Sequence, residues 1–182
     1  RHGAARGEYF VLLLLATIGM MVMGAAMDLI TIFLGLEMLS LCLYVLASFL
    51  KRQSESIEAG FKYFILGAFA SGFLVYGMAF VYGALGTTNL ATIAETVRAG
   101  AGTTPSTPTL AFGLALILVG IGFKISLVPF HMWAPDVYCG APTPVTAFIA
   151  TGSKAAGFAA LLRIFTLTLP QSRSEERRVG KE

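Results

Sequence analysis

Residues 29–50 read LITIFLGLEMLSLCLYVLASFL, twenty-two positions with one charged residue, Glu37. As an α-helix this run is about 33 Å long, which matches the hydrocarbon core of a bilayer. Comparable apolar blocks lie at 9–27, 57–82, 110–137 and 145–169. The whole composition agrees. Of 182 residues 56% are hydrophobic and only 13% charged, and the mean hydropathy is +0.77, whereas a soluble domain carries about twice that charge fraction. The expected fold is an all-α, polytopic membrane helix bundle of about five transmembrane helices.

The connections fill in the order. Asp28 leaves space only for a very tight turn, so the first two blocks form an antiparallel hairpin. The polar run 51–55 closes the second block. Within the third, Ala68 and Gly72 lie one turn apart and are expected to admit a neighbouring helix closely. Residues 83–109 are rich in Gly, Pro and Thr and are expected to be loop, with a short interfacial helix at 90–99. The fourth block meets Pro129 and is expected to be a broken helix, interrupted near 129, because proline lacks a backbone donor and clashes with the preceding turn. Such a break at membrane depth is tolerated where protein or a wet cavity satisfies the freed groups, and often marks a transport site. Residues 140–144 make a tight connection to the fifth block. The tail 170–182 turns abruptly polar, as a solvated loop or a non-native junction. The chain opens on Arg1 and residues 1–8 are polar, unlike a signal peptide. It is expected to be a piece of a longer protein.

Several function classes are excluded. The net charge of +3 is spread over segment ends and the tail and makes no nucleic-acid face. Cys42 and Cys139 have no metal-ligand spacing. No Gly-rich nucleotide loop, cysteine cluster or histidine pair occurs, so no cofactor and no metal are expected in this chain. Arg1, Arg6, Lys51 and Arg52 fall on one side of the membrane, with Arg98 opposite once the tail is set aside. The basic-residue rule then puts the N-terminal end in the cytoplasm.

Four charges lie inside the blocks: Glu37, Lys62, Lys124 and Lys154. A lysine at a helix centre costs about 2.5–3.5 kcal/mol on insertion, against about 0.3–0.6 returned per leucine. Function is the default explanation for such groups. The bland alternatives are a static ion pair for Glu37, Lys124 and Lys154, and snorkelling to the surface for Lys62. Burial disfavours a lysine's charged form and a nearby carboxylate favours it, so a lysine changes protonation when its partner moves. Glu37 with Lys124 is the natural switch pair and Lys154 a relay. Ser40, Ser126, Thr146, Thr151 and Ser153 are candidates to hold water between them. His131, near the break, is either a proton carrier or a hydrogen-bonded structural group. Asp136 is expected to cap or orient the broken segment.

These residues form a recognisable set. Gly35-Leu36-Glu37-Met38-Leu39-Ser40-Leu41, Phe61-Lys62-Tyr63-Phe64, Gly122-Phe123-Lys124-Ile125-Ser126 and the run from Pro129 to Tyr138 resemble the antiporter-like membrane subunits of respiratory complex I. Residues 140–148 and Lys154-Ala155-Ala156-Gly157-Phe158 resemble the subunit N branch of the bacterial NADH:quinone oxidoreductase in particular. The resemblance implies two inverted five-helix repeats, of which 9–169 is similar to the first. It implies that Glu37, Lys124 and Lys154 carry translocated protons, with Lys62 matching a further family lysine. It also implies a non-redox translocase subunit of a bacterial inner membrane. NADH, FMN, iron–sulfur clusters and quinone would lie in partner subunits, and other membrane subunits, including a neighbouring antiporter-like one, would pack beside it in the lipid bilayer. A subunit of a multisubunit cation/proton antiporter, or a structural subunit with static ion pairs, fits the same helix pattern.

Overall fold

The computed structural model describes residues 7–99 and 107–168. The tail 170–182, Arg1 and Arg6 lie outside the described residues. Within them the regular structure is helical, and the only strand-like pairing is a single bridge between Asp28 and Asn89. The elements are α1 (Gly7–Ala25), α2 (Leu29–Ala47), α3 (Ser54–Leu85), α4 (Leu90–Arg98), α5 (Thr107–Lys124), α6 (Ala134–Gly140), α7 (Thr143–Phe148), a π-helical turn (Ile149–Ser153) and α8 (Lys154–Thr168). Among the described residues, α1, α2, α3 and the continuous helix Thr143–Leu167 are each long and apolar enough to cross a membrane. The remaining apolar segment is divided between α5 and α6.

Two antiparallel pairs build the bundle, and close backbone approach sets both. In the α1–α2 hairpin a Cβ placed on Gly19 would come within 2.7 Å of the Gly35 carbonyl oxygen, and one on Gly35 within 2.7 Å of the Met23 nitrogen. In the second pair, a Cβ on Gly77 of α3 would lie 2.6 Å from the Gly113 carbonyl oxygen of α5. Helices in lipid associate through such packing, since burial of apolar surface gives no net drive there. Gly72 faces open space and Ala68 is exposed, so the expected approach at Ala68 and Gly72 is corrected to Gly77, whose face of α3 is the one turned inward. Gly77→Ala is therefore expected to cost about 1–3 kcal/mol through overpacking. Gly72→Ala is expected to be neutral or slightly stabilising through helix propensity. Thermal denaturation of the full-length protein in detergent distinguishes the two.

The thirty-two-residue α3 is the spine. It runs three residues further than the block at 57–82, so residues 83–85 belong to helix and not to loop. Both halves of the broken segment lie along it. Gly113 meets Gly77, Gly120 meets Leu74, Lys124 reaches Tyr63, Asp136 meets Lys62, and Gly140 sits against Ala59. Ser56 Oγ donates to the Ala47 carbonyl at 2.8 Å and fastens the start of α3 to the end of α2.

The far end is tied by side-chain caps. Asp28 accepts from the Ile30 amide at the head of α2 (2.9 Å) and from Thr88 Oγ1 (2.7 Å). Asn89 caps α4 through the amides of Ala91 and Thr92. Leu90 and Ile93 bury α4 against the bundle, giving it packing beyond that of a purely interfacial helix. Arg163 of α8, which the basic-residue count passed over, donates to the carbonyls of Ala25 (3.0 Å) and Ala26 (3.4 Å). These belong to the otherwise unpaired acceptors at the negative end of α1.

Candidate functional site

The site forms where α5 stops. Helix α5 ends at Lys124, five residues before Pro129, so the break spans 125–133 and is not confined to the neighbourhood of 129. Two of the carbonyls at the end of α5 are met by protein. Trp133 Nε1 donates to the Phe123 carbonyl at 3.0 Å, and the Leu127 amide donates to the Gly122 carbonyl at 2.8 Å. Ser126 is held at φ 58, a left-handed conformation that costs a non-glycine residue about 1–2 kcal/mol. Trp133, 1% exposed, fills the gap beneath the break and stacks on Tyr63 with ring centres 4.5 Å apart.

Lys124 is thus the last helical residue of a half-helix, at its negative pole, and it is 3% exposed. Its Nζ donates to Ser40 Oγ at 2.9 Å and to the Tyr63 hydroxyl at 3.3 Å, and lies 5.6 Å from the Tyr63 ring centre. Ser40 in turn donates to the Leu36 carbonyl at 2.6 Å. Among the described residues no carboxylate comes within ion-pair distance of Lys124: the recorded pairs are those of Lys62 alone.

Glu37 and Lys124 are accordingly not a direct pair. Glu37 accepts a hydrogen bond from Ser71 Oγ of α3. Ser71, Ser40, Tyr44, Gly67 and Lys124 line one small cavity of about 10 Å³, enough for about one water. The order is therefore Glu37, Ser71, a water-sized space, then Lys124, with Glu37 in electrostatic reach of the ammonium. Ser71 and Tyr63 were missing from the sequence-based set. The signal that finds them is the inward face of α3, on which Tyr63, Gly67 and Ser71 recur every four residues.

Lys154 begins α8 directly after the π-helical turn, a feature frequent at functional sites. Its Nζ lies 5.4 Å from the ring centre of Tyr138 on α6, and no carboxylate pairs with it among the described residues. One turn on, Gly157 lets α8 pass against Ile125 and the Lys124 stem: a Cβ there would be 2.6 Å from Ile125 Cγ2 and 3.8 Å from Lys124 Cγ. Three buried hydroxyls in this region, those of Ser126, Tyr138 and Ser153, have no partner among the described residues. Thr146 and Thr151 donate to backbone carbonyls of their own neighbourhood, so of the five expected water-holding hydroxyls only Ser40 touches Lys124.

Lys62 lies elsewhere. It is partly exposed and forms a triad with Glu58 (2.6 Å) and Asp136 (2.8 Å). Asp136 thus anchors α6 to α3. His131 is exposed within the break and its imidazole makes no hydrogen bond among the described residues; its carbonyl accepts from the Ala134 amide. No group of His, Cys, Asp and Glu suited to a metal occurs among the described residues.

Comparison with known proteins fits this arrangement. The sequence is 54% identical over 170 residues to NADH-quinone oxidoreductase subunit N of Trichlorobacter lovleyi, covering 93% of this chain and 34% of that protein. The chain therefore spans about a third of the length of the curated relatives it matches. The fold superposes with a TM-score of 0.77 and 45% identity on a chain of respiratory complex I from Thermus thermophilus, over 88% of this chain and 35% of that one. A chain of the Mrp complex from Dietzia sp. gives a TM-score of 0.75 at 27% identity, covering 86% and 29% of the two chains. Residues 26–176 match the model of the NADH:quinone oxidoreductase/Mrp antiporter transmembrane family. With that share of its length matched, this multi-pass membrane chain belongs to the NADH:quinone oxidoreductase/Mrp antiporter family.

Proposed function

We propose that the chain is the first five-helix repeat, 9–169, of a proton-translocating membrane subunit of the subunit N type in a NADH:quinone oxidoreductase. Lys124 carries the proposal. It is a fully buried ammonium held by Ser40 and Tyr63 hydroxyls, with its acid, Glu37, one hydroxyl and a water-sized cavity away. A charge held in this way responds when Glu37 gains or loses a proton, because no ion pair fixes it among the described residues. Glu37 and Lys124 form the switch, and Lys154 receives the proton and passes it toward the second repeat. His131, exposed in the break, is a weaker candidate for that onward step. Electron transfer from NADH through FMN and iron–sulfur clusters to quinone takes place in partner subunits. The subunit sits in a bacterial inner membrane beside another antiporter-like subunit, with the Lys51–Arg52 end of the bundle in the cytoplasm.

The likeness to the Mrp chain keeps a second reading in play, a subunit of a cation/proton antiporter. The higher identity to the complex I chain and the presence of Lys154 favour the first. Vesicles containing the full-length protein within its complex separate the two. NADH-driven proton uptake that needs no sodium is expected. Sodium-driven proton flux in membranes lacking an NADH dehydrogenase would move the assignment to the antiporter class.

A further inference from the structure

Lys62 has no place in the set of Glu37, Lys124 and Lys154, yet it makes the only ion pairs among the described residues. Its partner Asp136 sits on α6, and so does Tyr138, the ring beneath Lys154. Two residues apart on a helix are about 200° apart around its axis, so Asp136 and Tyr138 leave α6 on opposite sides. We propose that α6 is a rigid link through which the Lys62–Asp136 ion pair positions Lys154, making Lys62 and Asp136 positioning residues for the proton path.

The surroundings favour motion of α6 as one piece. Residues 125–133 are not helical, so α6 is joined to α5 by no continuous helix and touches it through Trp133 at its head. Its other end is seated: Gly140 packs against the Glu55 backbone and Ala59, Val137 is buried, and Thr146 Oγ1 donates to the Tyr138 carbonyl at 3.3 Å. The Tyr138 hydroxyl has no partner among the described residues, so no bond from it to them fixes the ring. The ring's place follows from α6 and from an edge contact with Trp133 at 6.0 Å. Lys154 in turn has Tyr138 as its recorded contact and no carboxylate among the described residues. Losing the negative charge of Asp136 removes the ionic tie between α6 and α3 and leaves α6 to turn on its Gly140 seat, which moves the ring and withdraws the face on which the Lys154 ammonium rests. The charge state near Glu58, Lys62 and Asp136 is read in this way at Lys154, without a proton passing between them.

The proposal rests on the proton-translocating reading, and its test uses the full-length protein in the assembled complex. Protons moved per electron are measured and normalised to assembled complex. Asp136→Asn and Lys62→Met are each expected to lower that ratio three- to tenfold, and the double variant to be no worse than either alone. Exchanging the charges, Lys62→Asp with Asp136→Lys, is expected to restore it to within twofold of the parent. A structure of the Asp136→Asn complex should place Lys154 Nζ beyond the roughly 6 Å cation–π range of the Tyr138 ring. Tyr138→Leu, which leaves the ion triad alone, should give the same loss and add nothing to Asp136→Asn, and it serves if Asp136→Asn fails to assemble. Losses that multiply between Tyr138→Leu and Lys62→Met, or an unchanged ratio in Asp136→Asn, overturn the link. A normal ratio in Lys124→Met instead overturns the proton-translocating reading itself.

Discussion

Trp133→Ala is expected to leave little assembled protein in the membrane. The indole is almost fully enclosed, stacks on Tyr63 at 4.5 Å, lies 5.3 Å from the Phe123 ring, and donates to the Phe123 carbonyl. Truncating a buried tryptophan costs about 3–5 kcal/mol, and the lost hydrogen bond adds about 0.5–1.5 kcal/mol. The Phe123 carbonyl keeps a second donor, the Ser126 amide, so the packing loss is the larger effect. Set against a total stability of about 5–15 kcal/mol, the sum is decisive. It falls in the non-helical stretch 125–133, at the side chain that joins its end to α5 and α3. Trp133→Phe keeps a ring against Tyr63 and loses the donor, so it is expected to assemble with a lower thermal midpoint. Blue-native gel quantification with a melting curve checks both variants.

Replacement of Lys124 is expected to have the largest functional effect, and two substitutions separate its roles. Lys124→Met keeps length and apolar volume, so the bundle is expected to assemble while protons moved per electron fall tenfold or more. Lys124→Arg keeps the positive charge, but a guanidinium does not release its proton at any working pH. If Lys124 relays protons, arginine fails nearly as badly as methionine. If Lys124 is only a static charge beside Ser40 and Tyr63, arginine preserves most of the pumping. Proton uptake by vesicles against NADH oxidation, per assembled complex, reads the difference.

The apolar blocks were legible because a bilayer demands long uncharged runs, and residues 29–50 declare one without help from the rest of the chain. The existence of a break was legible at Pro129. Its start at Lys124 was not, because α5 is ended by a tertiary cap, the Trp133 indole on the Phe123 carbonyl, nine residues beyond the last helical position. The π-helical turn at Ile149–Ser153 has no composition that marks it. The small-residue contact was placed at Gly72 when Gly77 makes it, since sequence shows that α3 carries glycines but not which face a partner occupies. The charged residues stood out by their cost in lipid, and their partners did not. Asp136 is 74 positions from Lys62, and Ser71 intervenes between Glu37 and the Lys124 cavity only because α2 and α3 pack side by side.

Glu37 is expected to change protonation in turnover, and Lys124 to sense it through Ser71 and the cavity between them. Infrared difference spectroscopy of the full-length protein in its complex, resting against turning over, measures this most directly. A protonated-carboxyl band is predicted to appear during turnover, to vanish in Glu37→Gln, and to shift in Ser71→Ala and Lys124→Met. A spectrum unchanged by Glu37→Gln would contradict the account.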